Sequence, residues 1–282
     1  MLDAEYSDFD QQLSARYDSE QDEVGILTEE LLESVSERLP KDHRYVAIEV
    51  SGDDHAANIG RYIERVVFEA SFGNDADEMS KEYGPYESAS RFFISVDQQS
   101  KQVSGVLRVV TPSESGFKSL DDATEFFHMD QLAASRQPGM QDLGKVWDVG
   151  TIAVLPEYRE KSGPVSILLE RALYLAAMKH DVQAIISIVD DRALKKMRSR
   201  WVGVGIPFKA LAGTRPQPYL GSPKSHAVVG YIPEFDEHMH HHAQSLRGRM
   251  ARRVLGDALD RLIKGTADDA ILLLDDYQKK DA

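Results

Sequence analysis

The stretch from Trp147 to Met178 constrains the fold more than any other part of the sequence, because strand, loop and helix signals follow one another within it. Residues 147–155 are apolar and rich in β-branched side chains, which is typical of a strand buried on both faces. Pro156 ends that strand, and Pro164 stands where a first helical position should be. Apolar residues then recur at helical spacing, at Leu168, Ala172, Leu175 and Ala176. The pattern predicts a strand, a short loop and a helix.

The predicted loop is basic and contains glycine. It includes Arg159, Lys161, Ser162 and Gly163. A helix N-terminus after such a loop presents unpaired N–H groups and a partial positive charge, which together favour an anion. A phosphorylated cofactor or carrier is therefore one hypothesis for its ligand. The alternative is an ordinary βα unit without a ligand.

Composition narrows the class of protein. The 282 residues are 42% hydrophobic and 28% charged, as in an ordinary soluble globular protein. The net charge of −14 disfavours nucleic acid as the main partner. The absence of cysteine excludes disulfides, thiolate metal ligands and a cysteine nucleophile. An acidic N-terminus and no apolar run of membrane-spanning length predict a cytoplasmic protein with no membrane span.

The first half of the chain predicts an α/β arrangement. Residues 1–44 read as an acidic arm followed by a packing helix, and residues 74–88 as a surface excursion without periodicity. Between and after them, the patterns predict a strand over 45–50, a helix over 59–70, and a hairpin of strands 91–97 and 103–111.

The second half continues the alternation and then becomes helical. Ser119 is a possible cap of a short helix, and the later patterns predict strands at 183–189, 206–211 and 226–232 with a helix over 191–200. An apolar stripe over 246–262 and a final helix through 271–274 form a C-terminal extension, which packs on the sheet or on a second subunit. The predicted domains are thus 1–44, 45–233 and 234–282.

Two charged residues in predicted strands are candidates for chemistry. A carboxylate such as Asp148 is costly to bury without a partner. One interpretation is that Asp148 accepts a proton in a reaction. The other is that it lies at a strand end, where it faces solvent or pairs with Arg108 or Arg91. Arg108 lies in the apolar strand GVLRVV and either binds a carboxylate or faces water. Trp201 and Phe208 are predicted to line the core or a pocket.

Other familiar site patterns are missing from the sequence. The histidines at 238 and 240–242 have no cysteine or regularly spaced carboxylate beside them, so a solvated helix start is favoured over a metal site and no metal is expected. There is no nucleophile elbow, phosphate-binding Walker loop or dinucleotide fingerprint.

The order of four motifs resembles the GNAT-type N-acyltransferases, and within them the branch of acyl-homoserine-lactone synthases and long-chain N-acyl amino acid synthases. These motifs are VFEASFG, SGVLRVVTP, WDVGTIAV and RSRWVGVGIPFKALAG, within residues 45–233. This chain has Asp148 where the branch usually has Glu, and Thr151 where it often has Arg. The phosphate-binding loop of these enzymes corresponds to residues 159–164 of this chain. Pro164 in this loop has no N–H to donate to a phosphate of CoA, so an acyl-carrier protein is an alternative donor.

The resemblance implies a mixed, twisted central sheet that is splayed near the central strand, with helices on both faces. It implies an acyl-CoA or acyl-carrier-protein phosphopantetheine donor held by Ile152, Ala153 and Val154 and by the loop residues Arg159, Lys161, Ser162 and Gly163. Asp148 or a water would take the proton of an attacking amine, and Arg108, Trp147, Trp201 and Phe208 would contact the acceptor, an amine or amino-acid-like molecule.

Two functions follow from these observations. The first is an N-acyltransferase that moves an acyl group to an amine by direct attack on the thioester. The second is a non-catalytic, acyltransferase-like module that binds an acyl ligand or a protein, which the altered phosphate loop and the terminal extensions favour.

Overall fold

The structure is a computed structural model, and it describes residues 21–39, 43–159, 164–200, 208–234, 237 and 269–274. The chain forms two compact units. Unit 1 consists of Met1–Val109, Thr151–Ala172 and Ala267–Ala282, and unit 2 of Val110–Gly150 and Leu173–Thr266.

The elements alternate between helix and strand along most of the chain. The helices are α1 Gln21–Ser34, α2 Ala57–Phe72, α3 Ala76–Tyr83, α4 Lys118–Glu125, α5 Gln131–Ala134, α6 Pro164–Lys179 and α7 Asp191–Arg200. The strands are β1 Tyr45–Ser51, β2 Ser90–Asp97, β3 Gln102–Val110, β4 Val146–Val154, β5 Ala184–Asp190, β6 Phe208–Ala210, β7 Gln217–Tyr219, β8 Ser222–Tyr231 and β9 Asp269–Leu272.

The strands form a mixed sheet, as predicted. Their order is β6-β8-β5-β4-β3-β2-β1-β9, and β7 pairs with β8. In unit 1, β1 is antiparallel to β2 and parallel to β9. In unit 2, β5 is parallel to the first residues of β4 and antiparallel to β8. The predicted strands and the β2–β3 hairpin are confirmed, with shifts of a few residues at their ends.

The core of unit 1 lies where α1 and α2 pack on β1, β2 and β3. The apolar stripe of α2 is fully buried at Ile59 and Ile63. Gly60 is needed where α2 comes close to β2, because a Cβ at this position would lie 2.5 Å from the ring of Phe92. The helix ends at Gly73, whose φ of 82° is the left-handed conformation that glycine adopts without strain.

The core of unit 2 joins α4 and the segment after it to β4, β5 and β8. Phe117, Phe127 and Val146 are buried there together with Ile186 and Val229. These residues surround the buried end of β4 with apolar side chains. A polar group placed among them therefore needs a hydrogen-bond partner.

Three predictions about local structure are wrong. Residues 74–88 are not a surface excursion: α3 and a 3-10 helix over Gly84–Ala89 bury Met79 and Tyr83. Residues 271–274 do not continue a helix, because Asp269–Leu272 pair with the edge strand β1, whose backbone groups need partners. Ser119 lies inside α4, one residue after its start, and is not its cap.

Two predictions fall wholly or mostly outside the described residues, namely the acidic arm over 1–24, of which residues 21–24 belong to α1, and the helix over 246–262. The packing helix of the first segment is confirmed and begins at Gln21. Within the described ranges, no helix combines the length and the apolar character needed to cross a membrane.

Candidate active site

Strand β4 carries most of the residues singled out in the sequence. Its backbone pairing with β5 joins Val146–Asp148 to Ala184–Ile186, in parallel. At the next residue, the Val149 carbonyl accepts a hydrogen bond from the Ser187 side chain, at 2.8 Å. A side chain thus bonds to β4 where the backbone pairing with β5 ends.

Asp148 is fully buried and is held by one residue of α4. The Ser119 N–H donates to Oδ2 at 2.7 Å, and the Ser119 hydroxyl donates to Oδ1 at 2.6 Å. Both residues are at most 4% exposed. The carboxylate therefore satisfies a backbone N–H in the first turn of α4, which has no partner within the helix. The alternative of a solvent-facing strand end does not hold, and the two arginines considered as partners pair with glutamates: Arg108 with Glu64 and Arg91 with Glu49.

The surroundings of Asp148 favour a moderately basic carboxylate. Burial raises its pKa from 3.8 to about 6, while the two hydrogen bonds from Ser119 act in the opposite direction. The positive charge of Lys118 also lowers the pKa, and the negative charge of Asp122 raises it. A carboxylate with a pKa near 6 is mostly ionised at pH 7 and is a stronger base than an exposed aspartate.

A second polar group lies next to Ser119 on the same helix. Lys118 is buried, and its Nζ donates to Asp122 Oδ2 at 2.5 Å and to the Tyr219 hydroxyl at 2.6 Å. The Tyr219 hydroxyl in turn donates to Asp122. This cluster fixes the start of α4 on β7 and keeps the Lys118 charge compensated.

In unit 1, Arg108 lies in a buried network of charges. Its Nε and Nη2 donate to the two oxygens of Glu64 at 3.0 and 2.7 Å, and its Nη1 donates to Glu87 at 2.9 Å. Arg108 and Glu64 are fully buried. The Thr151 hydroxyl on β4 also donates to Glu64. Thr151 is thus part of this network.

The same network continues to a second arginine. Arg61 on α2 donates from Nε to Glu87 at 3.0 Å and from Nη2 to the Gly52 carbonyl at 2.6 Å. Burial raises the pKa of Glu64, and the Arg108 charge opposes that effect. The Arg108 guanidinium also lies 4.3 Å from the centre of the Tyr83 ring. Two arginines and two glutamates thus compensate one another away from solvent.

The second half of β4 presents the predicted donor-binding residues. Ile152 is 39% exposed, whereas Ala153 is buried. Gly105 on β3 permits the close packing here, since a Cβ would lie 2.8 Å from the Ala153 carbonyl and 3.0 Å from Val165 on α6. Beyond the strand, the exposed Arg159 donates from Nε to the Val154 carbonyl at 2.7 Å.

The remaining predicted residues are distributed as follows. Trp147 is buried, with its ring 5.5 Å from that of His180. Phe208 packs over Gly230, its partner across β6 and β8. Lys161, Ser162, Gly163 and Trp201 lie outside the described residues, as does the histidine cluster at 238–242. In the part of the chain that is described, no group of three or more metal-ligating side chains occurs.

Sequence reasoning missed Ser119 as the partner of Asp148 and missed Glu64 and Glu87 entirely. Glu64 lies beside the apolar stripe of α2 and not within it, so helical periodicity predicts an exposed residue there. Neither Glu64 nor Glu87 therefore leaves a signal in the sequence.

No protein-family model and no curated protein matches the sequence. Among solved structures, FeeM, an N-acyl amino acid synthase from uncultured soil microbes, covers 73% of this chain and 98% of its own, with 16% identity and a TM-score of 0.50. The chain has a GNAT-like fold. The fold predicted from the sequence motifs is therefore confirmed.

Two further structures are similar to a lesser degree. BjaI, a CoA-dependent acyl-homoserine lactone synthase with SAM and isopentyl-CoA, covers 78% of this chain and 99% of its own, at 13% identity and a TM-score of 0.44. A spermidine N-acetyltransferase from Vibrio cholerae covers 68% and 96%, at 13% identity and a TM-score of 0.39.

Proposed function

We propose that the chain is an N-acyltransferase, which moves an acyl group from acyl-CoA or acyl-carrier protein to an amine or amino-acid-like acceptor. The observation that carries this proposal is the fully buried, hydrogen-bonded carboxylate of Asp148 on β4 of an acyltransferase fold. A pKa near 6 suits a group that must be ionised at neutral pH and still accept a proton. The similarity to an N-acyl amino acid synthase supports the reaction class.

The proposed reaction is a direct transfer. The acceptor amine attacks the carbonyl carbon of the thioester, so that a C–N bond forms and the C–S bond breaks. The proton of the nitrogen passes to Asp148, directly or through one water, and the departing thiolate takes a proton from solvent. Backbone N–H groups of Ile152–Val154 would stabilise the negative oxygen of the tetrahedral intermediate.

The donor is proposed to lie along the second half of β4. Ile152 offers exposed apolar surface there, and Arg159 places a positive charge just beyond the strand. Lys161, Ser162 and Gly163 would complete the contact with the phosphates of CoA or phosphopantetheine. The role of Arg108 in orienting an acceptor carboxylate stays a prediction. Glu64 and Glu87 already accept its hydrogen bonds, so a carboxylate substrate would have to compete with both.

The test is acyl transfer by the purified chain. Acyl-CoAs and acyl-carrier proteins of several chain lengths are combined with a panel of amines and amino acids, and release of free thiol and formation of the amide are both measured. Thermal unfolding with each donor reports binding separately, since a ligand of the folded state raises the melting temperature.

The outcomes separate the two candidate functions. Thiol release that needs an amine, and that falls at least about a hundredfold in Asp148→Asn, supports the proposal with Asp148 as the proton acceptor. Unchanged transfer by that variant removes Asp148 from the mechanism. Thermal stabilisation by a donor with no transfer to any acceptor supports a non-catalytic binding module. No stabilisation and no transfer would refute the enzyme.

A further inference from the structure

Ser119 contributes two donors to one carboxylate, and this arrangement goes beyond what capping α4 requires. A single acceptor satisfies the N–H of a helical first turn, yet the Ser119 hydroxyl adds a second hydrogen bond to the other oxygen of Asp148. With one donor on each oxygen, the plane of the carboxylate is fixed as well as its position. The remaining lone pairs keep their direction relative to β4.

We propose that Ser119 is a positioning residue for the proton acceptor Asp148. It fixes the orientation of the carboxylate and favours its ionised form, so that an acceptor amine or an intervening water meets a lone pair in a constant direction. This inference rests on the proposed function, because it assigns Asp148 the role of proton acceptor.

The geometry indicates that Ser119 orients the Asp148 carboxylate and does not merely fill space beside it. Ser119 and Asp148 are 29 residues apart in sequence and lie on different elements, so the bonds are not part of a local turn. Both distances are short, as is usual for hydrogen bonds to an ionised carboxylate. Residue 119 is 4% exposed, and its hydroxyl has a good acceptor in Asp148 Oδ1.

The charged groups that face Asp148 come from the same helix. Lys118 favours the ionised carboxylate and Asp122 opposes it, while Lys118 itself is bonded to Asp122 and Tyr219. The pair of charges therefore compensates largely within itself. The two Ser119 donors are the direct contacts that hold the carboxylate ionised in an apolar surrounding.

The experiment compares Ser119→Ala, which deletes the hydroxyl donor but keeps the N–H, with Ser119→Thr, which keeps both. Ser135→Ala is the matched control, since the exposed Ser135 hydroxyl donates to the Leu132 carbonyl on a neighbouring helix of the same unit. The readouts are the pH profile of kcat/KM, the pH titration of the Asp148 carboxyl carbon by NMR, and thermal unfolding.

Ser119→Ala is expected to move both the acidic limb of the kcat/KM profile and the Asp148 titration to higher pH by about one pH unit. At pH values on the acidic side of the limb, kcat/KM should then be about tenfold lower than in the unaltered chain. Ser119→Thr should restore both, and Ser135→Ala should leave both in place. If Ser119→Ala lowers only the melting temperature and leaves the limb and the titration unchanged, the hydroxyl is merely structural and the proposal is overturned.

The titration does not depend on finding the substrates. If the unaltered chain transfers no acyl group, the proposed function fails, and the positioning role for catalysis fails with it. In that case the NMR titration still decides whether Ser119 sets the protonation of Asp148. If transfer occurs and the titration does not respond to Ser119→Ala, this inference alone is refuted.

Discussion

Arg108 and Glu64 form a two-point ion pair in the core of unit 1, with both side chains fully buried and N–O distances of 3.0 and 2.7 Å. The pair joins α2 to β3, and the Thr151 hydroxyl ties β4 to the same carboxylate. Burying two charges is costly, so the network specifies how these elements meet more than it adds net stability. Removing one partner leaves the other charge uncompensated.

Glu64→Gln should therefore destabilise the protein by about 3 to 5 kcal/mol, because the Arg108 charge stays buried while one of its two carboxylates is lost. Urea unfolding monitored by circular dichroism measures the change. Glu69→Gln is the matched control on the same helix, since Glu69 is 52% exposed and lies 3.7 Å from Arg65. Its loss should cost less than about 1 kcal/mol. Equal effects of the two substitutions would show that the buried network is not a critical contact.

The raised pKa of Asp148 should make the stability of the folded protein depend on pH. Its pKa is raised from 3.8 to about 6 in the folded protein, so between these values the folded state holds more protons than the unfolded chain. Stability from this group is therefore present at low pH and is lost as the pH rises to about 6. The corresponding free energy is about 3 kcal/mol.

Asp148→Asn removes that ionisation while keeping the shape of the side chain. The stability of the variant relative to the unaltered chain should rise by about 3 kcal/mol between pH 4 and pH 7 and stay level above it. Urea unfolding at each pH provides the measurement. A difference that stays constant from pH 4 to pH 7 would mean that Asp148 has no raised pKa.

The order of strands and helices could be read from the sequence because continuous apolar runs and helical periodicity are local signals. Strand β4 and helix α6 are found at the predicted places for this reason. The C-terminal strand could not be found in the same way. Residues 269–272 are extended because the edge of β1 offers them partners, more than 220 residues away in the chain.

The site was only partly predictable for a related reason. Asp148 and Arg108 stand out as charges in apolar strands, and both prove to be buried. Their partners Ser119 and Glu64 come from helices 29 and 44 residues away. The pairing depends on how helix and sheet pack, which periodicity does not encode.

Gly105 and Gly25 should respond in opposite ways to alanine. A Cβ at Gly105 would meet the Ala153 carbonyl at 2.8 Å, and since backbone cannot move aside cheaply, Gly105→Ala should cost about 1 to 3 kcal/mol. Gly25 lies within α1 with nothing within 4 Å of an added Cβ, so Gly25→Ala should stabilise by about 0.5 to 1 kcal/mol. Urea midpoints of both variants test this. Destabilisation by Gly25→Ala, or none by Gly105→Ala, would contradict the packing described for β3 and β4.

Substitutions of Arg159 test the proposed binding site of the acyl donor. Its exposed guanidinium lies just beyond β4 and donates to the Val154 carbonyl, so it is placed to meet a donor phosphate while fixing the strand end. Arg159→Ala should raise the KM for the donor about tenfold, which corresponds to about 1.4 kcal/mol, with a smaller change in kcat. Arg159→Lys keeps the charge but loses the hydrogen bond from Nε to Val154. Its KM should lie between those of the unaltered chain and Arg159→Ala. The exposed Arg136 serves as a control for net charge, because Arg136→Ala removes one positive charge from a residue that is not among the proposed donor contacts, and this variant should leave KM unchanged. A KM for Arg159→Ala equal to that of Arg136→Ala, over a range of salt concentrations, would remove Arg159 from the donor site.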